Sequence, residues 1–508
     1  MVLDDFGQKT ETFLAWLMDI GVVINPKVAL VDLRSAGRGR GVIAQSNIDE
    51  DEVLFTIPRS AVLNTASALG SAGLSTPPAI LDMPSWLALT ATILAEGQRD
   101  DSKWGPYLAL LPQKLDSLVF WSESELLELQ ASTVVSKIAK ASAEELFYQY
   151  ISPLELSQGN IEMCHRVASV IMAYAFDIPE KQSSEENNHA GDGDSLVSDD
   201  EEDEKTILSM IPLADMLNAD ADRNNARLCC DNEDLEMRSI KPIMEGEEIF
   251  NDYGQLPRSD LLRRYGYVTN RYALFDVAEI STPFLLSVLV AAQSLRTGLT
   301  LKLLSSKEVE QRITLAQREG VYEESYDLTH AGSDGPGIPD ELLALLYLLL
   351  LDNENLLTIE KSQTLLPGRS KLATSLVGQV LAVVLQSRLQ EYPTTTETDQ
   401  MILQAGNLPL RKQMAVQVRL GEKLVLEKAI QESMSFTGDN KRMRLIDNRT
   451  GSGVESTKGK RKNEDSGAAK KKGRLRLPPP WLQERLSLTR HALVQIRGQR
   501  LPIQWQSG

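Results

Sequence analysis

The chain has 508 residues, 71 acidic against 53 basic for a net charge of −18, and 42% of its residues are hydrophobic. That size and apolar content predict a soluble globular protein of two or three domains and exclude collagen-like, disulfide-scaffold and wholly disordered chains. The acidic balance argues against direct nucleic-acid binding and leaves basic proteins as partners.

The first residues carry Asp4, Asp5 and Glu11, where a targeting peptide would be basic and acid-poor. Residues 26–64 then predict short strands: Lys27 through Val31, Gly41 through Ala44, and Glu52 through Pro58. Between the first two lies Gly37-Arg38-Gly39-Arg40-Gly41. A dinucleotide loop opens a helix. Here Val42-Ile43-Ala44 continues as a strand, so these glycines read as a hairpin turn that needs positive φ.

Residues 84–176 repeat at helical spacing, as in Trp86, Leu89, Thr90, Ile93, Leu94 and again in Val167, Val170, Ile171, Tyr174. Residues 183–205 have no apolar period and hold six consecutive acids from Asp199 to Glu204. A run of that kind repels itself, which predicts a disordered loop between a helix and a strand-like segment at 207–212. Strands and turns return over 211–267. Long Leu-rich helices dominate 283–436, including 372–389 and 411–433. The apolar run from Leu342 to Leu351 is about half the roughly 20 residues that cross a bilayer, so it predicts a buried core helix and no membrane span.

Residues 441–476 contain Lys458, Lys460, Arg461, Lys462 and then Lys470, Lys471, Lys472, Arg474, Arg476. Two such clusters fit a bipartite nuclear-import signal, or a solvated linker. Cys164, Cys229 and Cys230 are too few and too poorly spaced for a zinc cluster, and read as reduced structural thiols.

Two stretches have a composition that carries chemistry. In Ile211-Pro212-Leu213-Ala214-Asp215-Met216-Leu217-Asn218, an apolar run is broken by Asp and Asn. A buried Asn must satisfy its amide with backbone or with a ligand. Further on, Asn251-Asp252-Tyr253-Gly254 is followed by Tyr265-Gly266-Tyr267, three tyrosines in a short polar stretch where packing usually needs fewer.

In order, these segments resemble the SET-domain protein methyltransferases, in the branch typified by the Rubisco large-subunit lysine methyltransferase and the fungal ribosomal-protein lysine methyltransferases. The resemblance rests on Gly37 through Ala44 with Leu54-Phe55-Thr56-Ile57-Pro58, and on Trp104-Gly105-Pro106-Tyr107-Leu108 with Leu111-Pro112. It continues in Met172-Ala173-Tyr174-Ala175-Phe176, Ala214 through Asn218, the two tyrosine segments, and residues 411–427. It covers most of residues 20–436 and implies an α+β fold: a SET-domain β-fold of short sheets with a large helical insertion, followed by an all-α C-terminal domain. The implied boundaries are 1–280 for the SET domain, with its insertion at about 65–205, and 281–440 for a helical substrate-binding domain. A basic disordered segment at 441–476 and a tail at 477–508 follow.

The resemblance also implies roles. Arg38, Gly39 and Arg40 would meet S-adenosylmethionine (SAM) through backbone groups, with Tyr174, Asn218, Ala219 and Tyr265 completing its pocket. Trp104, Ala175, Asp215, Tyr265 and Tyr267 would bind the substrate lysine, and Tyr253 matches the catalytic tyrosine. Relatives usually have His where this chain has Ala219; a backbone contact there tolerates Ala, whereas an imidazole contact would be lost. The implied protein is a monomer in the nucleus, with the cytoplasm as second compartment. It methylates a ribosomal or other basic protein and needs no metal. A SET fold that has lost catalysis and only binds remains open, motivated by Ala219 and Ala175, as does methylation of a residue other than lysine. Retention of Tyr253 argues against the first.

The implied chemistry sets a demand. A lysine amine must be neutral to attack a sulfonium methyl, yet its ordinary pKa is about 10.4, so neutrality at pH 7 costs about 4.6 kcal/mol. Aromatic walls that desolvate the ammonium, and a neighbouring cation that repels it, both lower that cost.

Overall fold

The computed structural model describes residues 4–72, 80, 83–156, 160–179, 206–220, 222–230, 233–291, 304–332, 335–361 and 366–439. All of these except Pro179 belong to one compact unit, Met1–Ile178 with Thr206–Arg449. A second unit comprises Pro179–Lys205 and Thr450–Gly508. The acidic stretch 183–205, the basic segment 441–476 and the tail 477–508 lie outside the described residues.

Two four-stranded sheets carry the N-terminal half. The first contains β1 (Val23–Ile24), β4 (Val53–Ile57), β8 (Ala226–Cys229) and β9 (Leu235–Ser239), in the order β1-β4-β9-β8. The second contains β2 (Val28–Asp32), β3 (Arg40–Ala44), β7 (Asn218–Ala219) and β10 (Glu248–Asn251), in the order β2-β3-β10-β7. β2 and β3 form the hairpin read from the sequence, with Val28 opposite Ala44 and Asp32 opposite Arg40. Gly37 at φ +73° and Gly39 at φ +63° make its turn. A third, small sheet pairs β5 (Phe176–Pro179) with β6 (Thr206–Ser209).

Against these sheets pack the helices Asp5–Asp19, Ser85–Glu96 and Ile161–Tyr174. Their buried faces, including Phe13, Leu17, Leu89, Ile93, Val167 and Ile171, join Val42, Leu54, Ile57 and Ile249 in one core. The Ile161–Tyr174 helix starts where the Asn160 side chain accepts a hydrogen bond from the Met163 amide at 2.8 Å, a standard satisfaction of an orphan N–H.

A second core gathers the C-terminal helices. The Asp340–Leu350 helix is buried continuously from Leu342 to Leu350, as an all-round apolar helix must be. It packs with Ser375–Gln390 and Leu410–Met434. This region also holds a two-stranded antiparallel ladder, β11 (Ala278–Ser281) with β12 (Ser325–Leu328). Its short span is overshadowed in sequence by the Leu-rich helical period, although Tyr326 and Leu328 alternate inward as strand residues do. A small third core of Leu118, Trp121, Leu129, Val134, Leu262, Met414 and Val418 joins the insertion and the Arg258–Tyr265 helix to the Leu410–Met434 helix. Among the described residues no helix is long and apolar enough to cross a membrane.

The Leu410–Met434 helix buries charge as well as apolar surface. Arg419 donates to both oxygens of Asp399, at 2.8 and 3.0 Å, and Lys423 bonds the same carboxylate. All three side chains are almost completely buried. Burial pushes the Asp399 carboxyl up, but the two cations outweigh it and hold it below the usual carboxylate range. Removing one partner strands the others, which typically costs about 3–5 kcal/mol. We expect Asp399→Ala to lower the melting temperature by several degrees in a thermal scan, and an unchanged value would show that this cluster contributes nothing to stability.

Candidate active site

Strand β10 has a partner on each side. It runs antiparallel to β3, with Glu248 opposite Ile43, and parallel to β7, with Phe250 opposite Asn218 and Asn251 opposite Ala219. Three distant segments therefore meet: the Gly37–Arg40 turn, the Asn218–Ala219 strand, and the loop that carries Tyr253.

Glu248 is the hub of this junction. Its Oε2 pairs with Arg38 Nη1, and its Oε1 accepts from Asn218 Nδ2 at 2.7 Å. The same Nδ2 donates to the Arg40 carbonyl at 3.2 Å. Gly41 allows the approach: a Cβ there would lie 2.4 Å from Leu33 Cδ1 and 3.0 Å from both Asn218 Nδ2 and Glu248 Oε1. Both Asn218 bonds use Nδ2, which fixes the amide and turns Oδ1 the other way as an acceptor. The Arg40 side chain leaves the junction instead, donating to Thr10 Oγ1 at 2.9 Å and to the Phe6 carbonyl at 3.1 Å, with its guanidinium over the Phe6 ring. With both arginine heads engaged, the turn offers its backbone.

The loop that leaves β10 carries Tyr253 into an aromatic cluster. The Tyr253 and Tyr265 rings stack at 4.2 Å between centroids and 5° between planes, and Tyr267 meets Tyr265 edge-on at 6.4 Å. Tyr265 is the last residue of the Arg258–Tyr265 helix, and Tyr174 the last of Ile161–Tyr174. Ala175 follows in extended conformation, half-buried.

Asp215 sits in the turn Ala214–Met216, 5% exposed. Leu213, just before it, holds φ +77°, a conformation rare for a branched residue and concentrated at functional sites. The Tyr107 hydroxyl donates to Asp215 Oδ2. Tyr107 is itself wholly buried, beside the rings of Phe13 and Trp16. Asp215 Oδ1 is buried and accepts no hydrogen bond. Burial pushes the Asp215 carboxyl up to about 7, against the pull of the Tyr107 hydroxyl and of the Asp215 and Leu213 amides. Burial also raises the Tyr107, Tyr174 and Tyr253 hydroxyls above the usual phenol range, and the Asp215 charge adds to the rise in all three. Tyr267 is raised chiefly by burial too. The phenols stay neutral across ordinary pH.

Of the residues singled out in the sequence, the structure thus gathers Arg38, Gly39, Arg40, Asn218 and Ala219 at one junction, and Tyr174, Asp215, Tyr253, Tyr265 and Tyr267 at a cluster within electrostatic reach of one another. Trp104 stands apart. It is 1% exposed, and its indole N–H donates to the Ala61 carbonyl at 3.0 Å, with Lys103 over its ring. Sequence reading missed Glu248 and Tyr107 as site residues, because their partners lie 210 and 108 residues away. Among the described residues no group of three or more His, Cys, Asp or Glu is arranged to hold a metal ion. Cys164 is buried, and burial pushes its thiol up to about 11.

Comparison with known proteins agrees with this geometry. The SET domain family matches residues 39–254, and the Rubisco LSMT substrate-binding family matches residues 304–426. The fold is similar to a crystal structure of the SET domain of LSMT bound to lysine and AdoHcy, with TM-score 0.64 and 20% identity, over 85% of this chain and 92% of that one. Rubisco LSMT bound to AdoMet is similar at TM-score 0.62 and 20% identity, over 84% of this chain and 91% of that one. Residues 39–254 thus form a SET domain. In sequence, the chain is 35% identical to ribosomal lysine N-methyltransferase 4 of Saccharomyces cerevisiae over 299 residues, which span 55% of this chain and 59% of that protein. It is 29% identical to N-lysine methyltransferase SETD6 of Mus musculus over 84% of this chain and 90% of that protein. The chain thus combines a SET domain with a Rubisco LSMT substrate-binding domain, and is similar in sequence to protein-lysine N-methyltransferases.

The buried carboxyl has a consequence for stability. A folded-state pKa of about 7 against an ordinary 3.8 means that the native state binds the proton more tightly than the unfolded chain does. Asp215 therefore favours folding most below pH 4 and loses that advantage as pH rises to about 7. Asp215→Asn should raise stability at pH 8 by on the order of 2–4 kcal/mol and match wild type near pH 4. Denaturant unfolding at the two pH values checks it; an equal difference at both would exclude a raised pKa.

Proposed function

We propose that the chain transfers a methyl group from SAM to a lysine side chain of a folded basic protein, ribosomal or nuclear, with Tyr253 as the catalytic tyrosine. The observation that carries this reading is the stacked Tyr253–Tyr265 pair, grouped with Tyr267, Tyr174 and Asp215, with Tyr253 on the loop that leaves the strand carrying Glu248 of the Arg38–Glu248–Asn218 junction.

The junction fits SAM. Asn218, with Nδ2 held by Glu248 and Arg40, presents Oδ1 to a ligand ammonium. Ala219 lies in the parallel ladder with Asn251, so its backbone is fixed and an imidazole is not required there. The backbone of Arg38, Gly39 and Arg40, with Tyr174 and Tyr265, completes the pocket. SAM supplies a sulfonium methyl, the electrophile of an in-line displacement.

Ala175, Asp215, Tyr265 and Tyr267 wall the lysine channel. Aromatic walls disfavour the ammonium by desolvation. The neutral Tyr253 hydroxyl hydrogen-bonds the amine and aims its lone pair, which holds the near-attack geometry. Trp104, whose indole N–H is held by the Ala61 carbonyl, stays with the channel residues as a substrate-binding residue in this reading.

A module that only binds has no reason to keep an unpartnered buried carboxylate oxygen and a strained Leu213. Such costs are retained where activity needs them. The −18 charge raises the association rate for a cationic partner. The basic clusters in 441–476 support a nuclear location, with the cytoplasm second.

The reading is tested by incubating the enzyme with labelled SAM and ribosomal or nuclear extract, and locating the label by mass spectrometry. Label on no lysine would overturn it. Tyr253→Phe should lower turnover by roughly 10²-fold or more with SAM affinity nearly unchanged, whereas Asn218→Ala should weaken SAM binding by about 1–3 kcal/mol in calorimetry. The reverse pattern would exchange their roles.

Tyr267 sets the product. Its hydroxyl occupies space that a second methyl would need, so the enzyme should monomethylate, and Tyr267→Phe should shift the product toward di- and trimethyl-lysine. Intact-mass measurement decides it: an unchanged distribution removes Tyr267 from this role.

A further inference from the structure

We propose that Asp215 accepts the proton of the substrate ammonium, and that Tyr107 is the positioning residue that holds Asp215 with one oxygen open for it. This rests on the lysine-methylation reading above and supplies the step that reading leaves unassigned, the loss of the ammonium proton.

The geometry prepares one oxygen and closes the other. Oδ2 takes the Tyr107 hydroxyl, and Tyr107 cannot swing away, because it is wholly buried beside the Phe13 and Trp16 rings. Oδ1 is buried and takes no side-chain donor, only the longer-range pull of the backbone amides of its own turn. A buried, unmet acceptor is costly and rare in native proteins. Tyr107 from the Gly105–Leu108 helix bonds the carboxylate; Tyr174 at the end of the Ile161–Tyr174 helix and Tyr253 from the loop after β10 lie within electrostatic reach of it, and the Leu213 and Asp215 amides of its own turn pull on it. The main causes that set its pKa are burial, the Tyr107 hydroxyl and these two amides. Around the tyrosines lie Asp260, Arg263 and Arg264 near Tyr265 and Asp220 near Tyr267; an ammonium that reaches Asp215 meets a carboxylate whose Oδ1 takes no side-chain donor.

In such surroundings both ions of an ammonium–carboxylate pair are penalised by desolvation, which brings the neutral amine–carboxylic acid pair close in energy. A base with a pKa near the working pH suits the task, and burial has moved Asp215 there. In the step, an N–H bond of the ammonium breaks and an O–H bond forms at Oδ1. The electron pair stays on nitrogen and then forms the N–C bond to the methyl, while the pair of the methyl–sulfur bond remains on sulfur. The product leaves as a methylammonium, and the Asp215 carboxylic acid returns its proton to water as the channel opens.

The test compares kcat/KM against pH for wild type, Asp215→Asn and Tyr107→Phe on the methylated protein substrate, with SAM affinity by calorimetry and melting temperature as controls. Asp215→Asn should lose at least roughly 10²-fold near pH 7, keep its SAM affinity, and recover as pH rises toward 10, where water removes the proton instead. Tyr107→Phe should move the acid limb of the profile to higher pH, because the carboxyl loses its donor, and approach the wild-type rate at alkaline pH. An Asp215→Asn profile parallel to wild type, or a Tyr107→Phe loss equal at every pH, would overturn the proposal. A wild-type enzyme that binds SAM but methylates no lysine would instead overturn the reading on which it rests.

Discussion

The double pairing of β10 is the constraint from which the site follows. A parallel pair cannot be closed by a tight turn, so the chain that leaves β7 must travel before it returns as β10. It does so by contributing β8 and β9 to the other sheet. The two sheets are thereby tied together by one excursion, and Asn225 seals it: its Nδ2 donates to the Glu248 carbonyl at 2.9 Å and its Oδ1 accepts from the Phe250 amide at 2.8 Å. One side chain with a donor and an acceptor satisfies two backbone groups that no strand can reach. Asn218 has a related position and a different use, because its amide is shared with the Glu248 carboxylate.

The tyrosines depend on a second tie. The helix that ends at Tyr265 begins at Arg258, whose guanidinium and backbone N–H both donate to Asp276. Gly421 of the Leu410–Met434 helix faces this pair, and a Cβ there would lie 1.9 Å from Asp276 Oδ2. One residue on, Glu422 accepts from Ser132 and Tyr392, both at 2.6 Å. Buried ionic groups of this kind add little net stability against an apolar alternative, but mismatching them is expensive. They set the register of the C-terminal helix against the Tyr265 helix, so the region matched by the substrate-binding family and the stacked tyrosines share one rigid joint.

What was legible in the sequence is what local pattern dictates. The β2–β3 hairpin announces itself through Gly37, Gly39 and alternating Val and Ile, and the buried Asp340–Leu350 helix through its unbroken leucines. Tyr253, Tyr265 and Tyr267 were visible as a cluster because they are close in the chain. Glu248 lies in Gly246-Glu247-Glu248, where an exposed turn carboxylate is the ordinary reading; only the fold brings Arg38 and Asn218 to it. Tyr107 reads as an apolar helix residue, and its hydroxyl matters only through Asp215.

The cluster is arranged against the protein's own stability. Leu213 holds a disfavoured backbone conformation, and Asp215 is a buried carboxyl with one oxygen that takes no side-chain donor. Strain of that kind persists only where the surroundings over-determine it. Here they do: Leu213 and Ala214 are core residues packed with Ile211 and Leu217, and the turn is followed directly by β7, which β10 holds in register. In the proposed reaction the amine must lose a proton at a cost of about 4.6 kcal/mol at pH 7. Fully hydrated walls would leave that cost intact, and cationic walls would repel the substrate before it arrived. Aromatic walls with a half-satisfied buried carboxylate admit the cation and then make its charge unfavourable, and a sheet-backed turn keeps the carboxylate in that state.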